Sequence, residues 1–187
     1  MAFSLSTFKS SLRGGGARPN LFKVEIPGGL PGGNTLEAKD QLLIKAAQLP
    51  ESTIGLIEIP FRGRNFKVAG DRTFAPWTVT VINDEDMAVR KAMEQWMQFI
   101  AQYQDGSGEN TPNDYMRSAT VTQLIRTPSN KGGTIGGGLA NSTQYKFHDI
   151  FPTNISAIDL SYDSSDTIEE FTVEFQVQFW EALNYSA

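Results

Sequence analysis

Near its C-terminus the chain alternates strictly between apolar and polar residues. Between Glu169 and Glu181, Phe171, Val173, Phe175, Val177 and Phe179 fall on every second position, with Thr172, Glu174, Gln176 and Gln178 between them. Successive side chains of a strand point to opposite faces, so this spacing predicts a strand with one apolar and one polar face. The β-branched and aromatic residue types suit the same assignment. Two kinds of water fit the polar face: the bulk outside a β-sandwich, or the interior of a barrel around a water-filled passage. Alternation alone does not separate them.

The rest of the composition narrows the class. A chain of 187 residues favours one domain and is long enough to bury a core without staples. Hydrophobic residues at 40% and charged residues at 20% give a globular balance. There is no cysteine, so disulfides and cysteine metal sites are excluded and a cytoplasmic origin fits. The N-terminus shows no charged start with a long apolar run, so no secretory signal is expected. No apolar run approaches the roughly 20 residues of a membrane helix, so no membrane insertion is expected. A net charge of −5 argues against a sequence-independent DNA binder.

Along the chain, residues 1–18 read as a flexible arm with a Gly14-Gly15-Gly16 hinge, and 19–187 as one β domain. Such an arm is loosely ordered alone or orders against a neighbouring subunit. Phe22, Val24 and Ile26 predict a first strand, closed by the Pro27–Gly33 loop. Residues 41–49, with Leu42, Leu43 and Ile44 in a run, predict another that ends at Pro50. Ile57, Ile59 and Phe61, then Phe66 and Val68, flank Arg62-Gly63-Arg64-Asn65. They predict a hairpin arm over 56–76. Its charged tip is either a solvated loop or a docking arm, and an isolated two-stranded projection gains from docking.

Trp77–Ile82 predicts a strand, and Asn83 with Asp84, Glu85 and Asp86 predicts a helix start. Val89, Ala92, Met93, Trp96, Ile100 and Tyr103 recur at helical spacing. A helix over 84–103, roughly 30 Å long, would pack that stripe on a sheet. Arg117–Arg126 predicts a strand with Ala119, Val121 and Ile125 on one face, and 127–143 a mobile glycine-rich loop. Tyr145, Phe147 and Phe151 predict a strand ending at Pro152-Thr153-Asn154. Ile158, Leu160 and Tyr162 predict another, and Asp163–Asp166 a tight connection to the last. Eight or nine strands and one long helix make a mainly β fold, a sandwich or partly closed barrel with the helix on one side or end.

The residues do not assemble an active site. The one histidine, His148, lies in a predicted strand, without the serine and acid context of a triad. One histidine and no cysteine make a poor metal set. Asp84, Glu85 and Asp86 are accounted for by the helix start, ahead of an oxygen-ligand cation site. Gly132–Gly138 looks superficially like a phosphate loop, but lacks the Gly-Lys-Ser/Thr ending that opens a helix. Glu169 and Glu170 read as a solvated strand start rather than a hydrolytic pair. No catalysis and no cofactor are expected.

Three blocks carry more than class-level information. Ala17-Arg18-Pro19-Asn20-Leu21-Phe22 opens the first strand. Val68-Ala69-Gly70-Asp71-Arg72-Thr73-Phe74 leads into Trp77–Val81 and Ile82-Asn83-Asp84. Pro152-Thr153-Asn154 and Phe179-Trp180-Glu181 close the series. Over residues 17–181 this order and spacing resembles the tail tube proteins of T4-like contractile-tailed bacteriophages, with Ala69–Phe74 the most specific part. The resemblance implies a β-sandwich or barrel subunit with a flanking helix. It implies six-membered rings stacked into a hollow tube inside a contractile sheath, with viral DNA passing down the lumen. The implied partners are other copies of the chain, the sheath, a baseplate initiator, a tape-measure protein and a tail terminator. The implied place is the virion tail, assembled in the host cytoplasm.

A lumen reading would put Thr172, Glu174, Gln176 and Gln178 toward the DNA. It would leave Phe171, Val173, Phe175, Val177 and Phe179 in the subunit core. An acidic subunit suits DNA that slides, because a basic lumen would bind the phosphate charges. Arg62, Arg64, Lys67, Asp71 and Arg72 would lie at contacts between subunits or rings, each pair contributing about 0 to 1 kcal/mol while setting register. Tubes of type VI secretion and other injection machines are the same-fold alternative. A carbohydrate-binding β-sandwich, with aromatics arrayed on one face, is the alternative from another class.

Overall fold

The computed structural model describes residues 4–12, 17–26, 29–33, 35–124, 143–163 and 165–183. Helix α1 (Leu5–Ser11) precedes strand β1 (Phe22–Glu25), the short α2 (Ala38–Gln41) and β2 (Ile44–Ala47). Strands β3 (Ser52–Phe61) and β4 (Arg64–Phe74) lead to β5 (Trp77–Ile82) and the long helix α3 (Ala88–Ile100). The one-turn α4 (Pro112–Tyr115) precedes β6 (Arg117–Gln123), β7 (Thr143–Ile155), β8 (Glu170–Gln176) and β9 (Phe179–Ala182). The expected 127–143 loop lies outside the described residues, except Thr143, which opens β7. Ile125 lies outside them too.

One sheet runs in the order β1-β6-β7-β8-β5-β2, with β9 also on β7, and β3 and β4 form a second, two-stranded sheet. Every pairing is antiparallel. The large sheet is folded on itself at β7. Residues up to Ile150 pair with β6 and β9, and Phe151 to Ile155 pair with β8. Between the Ala119↔Phe147 and Arg117↔Ile150 pairs the register slips, and Asp149 adopts a left-handed backbone with φ of 54°. An inserted residue bends a strand and sharpens its twist. β7 turns there from one half of the sheet into the other, the way sandwich corners are made.

Two aromatic side chains join the halves. The Trp77 and Phe147 rings stack at 4.6 Å, and Phe175 lies 5.4 Å from Trp77. The β5–β8 register places Trp77, Val79 and Val81 opposite Phe175, Val173 and Phe171, and all six are buried. Each such cross-strand pair contributes about 0.2 to 1 kcal/mol. A slip of one residue would turn all six to solvent, so the pattern itself sets the register. Helix α3 closes the open side of this core with Val89, Ala92, Met93 and Trp96, and the Trp96 ring lies 6.0 Å from Phe175. The Trp77 and Trp96 indole N–H groups donate to backbone carbonyls, of Gln48 at 2.8 Å and of Tyr115 at 2.7 Å.

Several expected elements differ from those observed. The strand expected over 41–49 shrinks to Ile44–Ala47, because α2 and a turn occupy the residues before it and leave Leu42 exposed. The arm 1–18 contains the two-turn α1. Helix α3 begins at Ala88, not 84, after Met87 in a left-handed conformation. Asn83 does not cap it: its amide group donates to the Glu169 carboxylate at 3.0 Å, tying β5 to β8. Asp84 instead accepts the Ala88 amide at 3.1 Å. The helix stops at Ile100, near 20 Å at 1.5 Å per residue, and Tyr103 is exposed. The chain folds back across its end, where Glu109 N–H donates to Phe99 O and satisfies a terminal carbonyl. A Cβ on Gly108 would lie 2.1 Å from Ile100 O, so this return requires glycine.

Pro152 does not end its strand; it sits buried inside β7, at the register shift between Pro152 and Asn154. A bulge is where a sheet tolerates proline. Ile158, Leu160 and Tyr162 form no strand, and Leu160 and Tyr162 are exposed on the irregular stretch 157–163. The single strand expected over Glu169–Glu181 is broken at Val177 and Gln178 into β8 and β9. Phe171, Val173, Phe175 and Val177 are buried as expected, whereas Phe179 is 43% exposed. The break lies beside the β7 corner, and Phe179 stacks on His148 at 4.4 Å on the outside.

Candidate assembly surfaces

The β3–β4 hairpin is joined at its tip by Arg62 and Gly63, which have φ of 45° and 83°. Two successive positive φ values give the tight turn whose twist matches a hairpin. Pairs Ile57↔Val68, Ile59↔Phe66 and Phe61↔Arg64 put the predicted apolar residues on one face. No described residue covers that face: Ile57, Ile59, Phe61, Phe66 and Val68 are all exposed, Phe61 at 65%. At the root of the hairpin the Phe74 ring meets the edge of Trp180 at 6.1 Å.

The charged residues of the arm separate into two groups. Lys67 pairs with Glu58 across the hairpin at 3.8 Å, and Asn65 donates to the same carboxylate at 2.9 Å. The Arg62 guanidinium lies 5.5 Å over the ring of its neighbour Phe61. Arg64, Asp71 and Arg72 are exposed and form no ion pair among the described residues.

Gly55 and Gly70 were not singled out by sequence reasoning, although Gly70 lies in the most specific block. They face each other where the β3–β4 register slips between Ile54 and Leu56. A Cβ on Gly70 would lie 3.2 Å from Gly55 backbone atoms, and one on Gly55 3.3 Å from Asp71 O. The bulge therefore brings two backbones close together, where a side chain would be tightly crowded.

On β8, Thr172, Glu174 and Gln176 share the face opposite the core and are half-buried. Thr78 and Thr80 of β5 stand opposite Glu174 and Thr172, and Asn154 of β7 stands opposite Glu174. This makes a polar sheet face. Gln178 lies past the end of β8 and is exposed, so it is not part of that row. His148 bonds Glu181 at 2.9 Å and stacks on Phe179, which gives it a structural role. Among the described residues no group of acids and histidine is arranged to hold a metal, and no helix is long and apolar enough to cross a membrane.

The model of the phage tail tube protein family matches residues 17–183. The chain belongs to that family. It is 33% identical over 165 residues to the tail tube protein gp19 of Enterobacteria phage T4, covering 88% of this chain and 91% of that one. The tail tube protein of Serratia phage KSP90 is 25% identical over 178 residues, covering 92% and 93%. Among solved structures, a chain of the sheath–tube complex of an extracellular contractile injection system superposes with a TM-score of 0.52 at 14% identity. The match covers 97% of this chain and 100% of that one, and shows a shared fold. A tail tube family member is a structural component of the virion tail, not an enzyme.

Proposed function

We propose that six copies of this chain close into a ring, and that rings stack into the hollow inner tube of a contractile phage tail. The observation that carries the reading is the uncovered apolar face of the β3–β4 hairpin in a tail tube family member. A two-stranded ribbon with one bare apolar face is marginal in water and prone to pairing. Docking on the adjacent ring or subunit would bury that face, and Arg64, Asp71 and Arg72 would meet acids and bases of the neighbour. The sheath would surround the tube, a baseplate initiator would nucleate it, a tape-measure protein would set its length and a terminator would end it. Assembly would take place in the host cytoplasm.

The polar face carrying Thr172, Glu174 and Gln176 is the candidate lumen lining, with Gln178 at its margin. The half-buried Glu174 and the hydroxyls there would let DNA slide past, with no base-rich surface to release counterions and hold it. Negative-stain electron microscopy of concentrated protein tests the assembly: hollow tubes or six-membered rings are expected. Deletion of 60–68, which removes the hairpin tip and leaves the core intact, should abolish tube growth while the subunit stays folded. Normal tubes from that deletion would remove the hairpin from the assembly.

A further inference from the structure

We propose that α1 of one copy docks into the cleft lined by residues 157–162 and 167–170 of a second copy, with Asp163 and Asp166 beside it in sequence; this rests on the tube reading above. Helix α1 is capped at its start, where Ser4 Oγ accepts the Thr7 amide at 3.2 Å, yet it buries no residue. Leu5, Phe8 and Leu12 fall at i, i+3 and i+7 on one face, exposed at 69%, 63% and 45%. Two turns of helix are too short to hold alone in water, and an apolar stripe is what tertiary contact would stabilise.

The receiving surface has matching chemistry. Residues of the 157–170 segment line a cleft of about 600 Å³. Leu160, Tyr162 and Ile168 stand exposed along it. Three adjacent bare apolar side chains on one loop mark an interaction surface. The segment carries Asp159, Asp163, Asp166, Glu169 and Glu170 and no base. Lys45 already pairs with Glu170 at 2.5 Å, and Asn83 holds Glu169. Asp159, Asp163 and Asp166 have no ion pair among the described residues. The N-terminal segment is the complement: before Glu25 the sequence holds Lys9, Arg13, Arg18 and Lys23 and no acid. Lys9 flanks the Leu5–Phe8–Leu12 stripe, so one approach seats the apolar side chains and brings its ammonium to the aspartates. A base-only segment offered to an acid-only cleft gives orientation as well as contact. Within a single folded chain α1 buries nothing and the cleft stands open, so the occupant is the α1 of a second copy.

The chain has no cysteine, so site-directed cross-linking is clean. Full-length Phe8→Cys and Leu160→Cys chains, differently tagged and both altered at exposed positions, are mixed, assembled and treated with a short bis-maleimide. A covalent dimer carrying both tags is expected. Adding Lys9→Glu should lower its yield about five-fold, the scale of an exposed ion pair, and Asp163→Lys on the partner should restore it. Tubes or rings without the mixed dimer would overturn the docking and leave the tube reading standing. Monomers alone, with no dimer, would overturn both. An intrachain link in a Phe8→Cys/Leu160→Cys double variant without any mixed dimer would place α1 on its own chain and overturn the second-copy assignment.

Discussion

At the scale of single residues, Trp77 touches both halves of the folded sheet, stacking on Phe147 and meeting Phe175. Its ring is fully buried and its N–H is satisfied. Trp77→Ala should cost about 3 to 5 kcal/mol, through lost transfer energy and the cavity left behind. Urea unfolding followed by circular dichroism would read this as a large drop in midpoint. The return loop after α3 offers a pH-dependent counterpart. The Ser107 hydroxyl, and then its amide, hold the Asp105 carboxyl below its ordinary range. The Thr111 amide does the same for Glu109. Each lowered pKa means the carboxylate hydrogen bonds are fully present above the unfolded-state value and are lost as pH falls through the folded-state value. The protection factors of the Ser107 and Thr111 amides, with the pH dependence of intrinsic exchange divided out, should therefore fall on acidification, while those of the buried β5 and β8 amides stay high.

At the scale of elements, the hairpin and the sheet obey the same alternation but opposite economies of burial. β5 and β8 alternate buried and half-buried residues because α3 and β7 cover one side. β3 and β4 carry an equally clear alternation, yet both of their faces are bare along most of their length. The period reports which residues share a face, and not whether anything covers it. The paired glycines at the bulge set the shape of the arm. Gly70→Val would push a branched side chain into the Gly55 backbone, 3.2 Å from the Cβ position. The expected result is loss of amide protection confined to β3 and β4, with the tryptophan near-ultraviolet signal of the core unchanged. Unfolding of the whole subunit by this variant would show that the hairpin is coupled to the core.

At the scale of the whole molecule, the fold presents two unlike surfaces. The polar face of β8 is continuous with hydroxyls from β5, whereas the hairpin, α1 and the 157–170 segment expose apolar side chains. A monomer leaves all of the latter in water, and a closed assembly would bury them. Glu174→Lys tests the polar face. Glu174 is half-buried and its neighbours are Thr78 and Asn154, so the subunit should fold with stability changed by about 0.5 kcal/mol or less. DNA ejection by phage carrying it should slow, because the new charge would attract phosphates. A strongly destabilised monomer would instead place Glu174 in a packed site and remove it from the lumen.

Local pattern alone located most of the strands, though it wrongly added one over 158–162; it also determined which residues of a strand share a face, that a hairpin turns within 62–65, and that α3 carries an apolar stripe. These follow from the two- and 3.6-residue periods, which need no knowledge of distant partners. The blocks 17–22, 68–84, 152–154 and 179–181 carried the resemblance to the tail tube family, and the family match over 17–183 agrees with it. Only the tertiary structure decided where elements stop and turn. Asn83 is drawn away from capping by Glu169, just before β8. Phe179 leaves the core because its strand breaks beside the β7 corner, and Pro152 stays inside a strand because a bulge removes the need for its N–H. Each of these outcomes depends on a contact between residues far apart in sequence, which no local window contains.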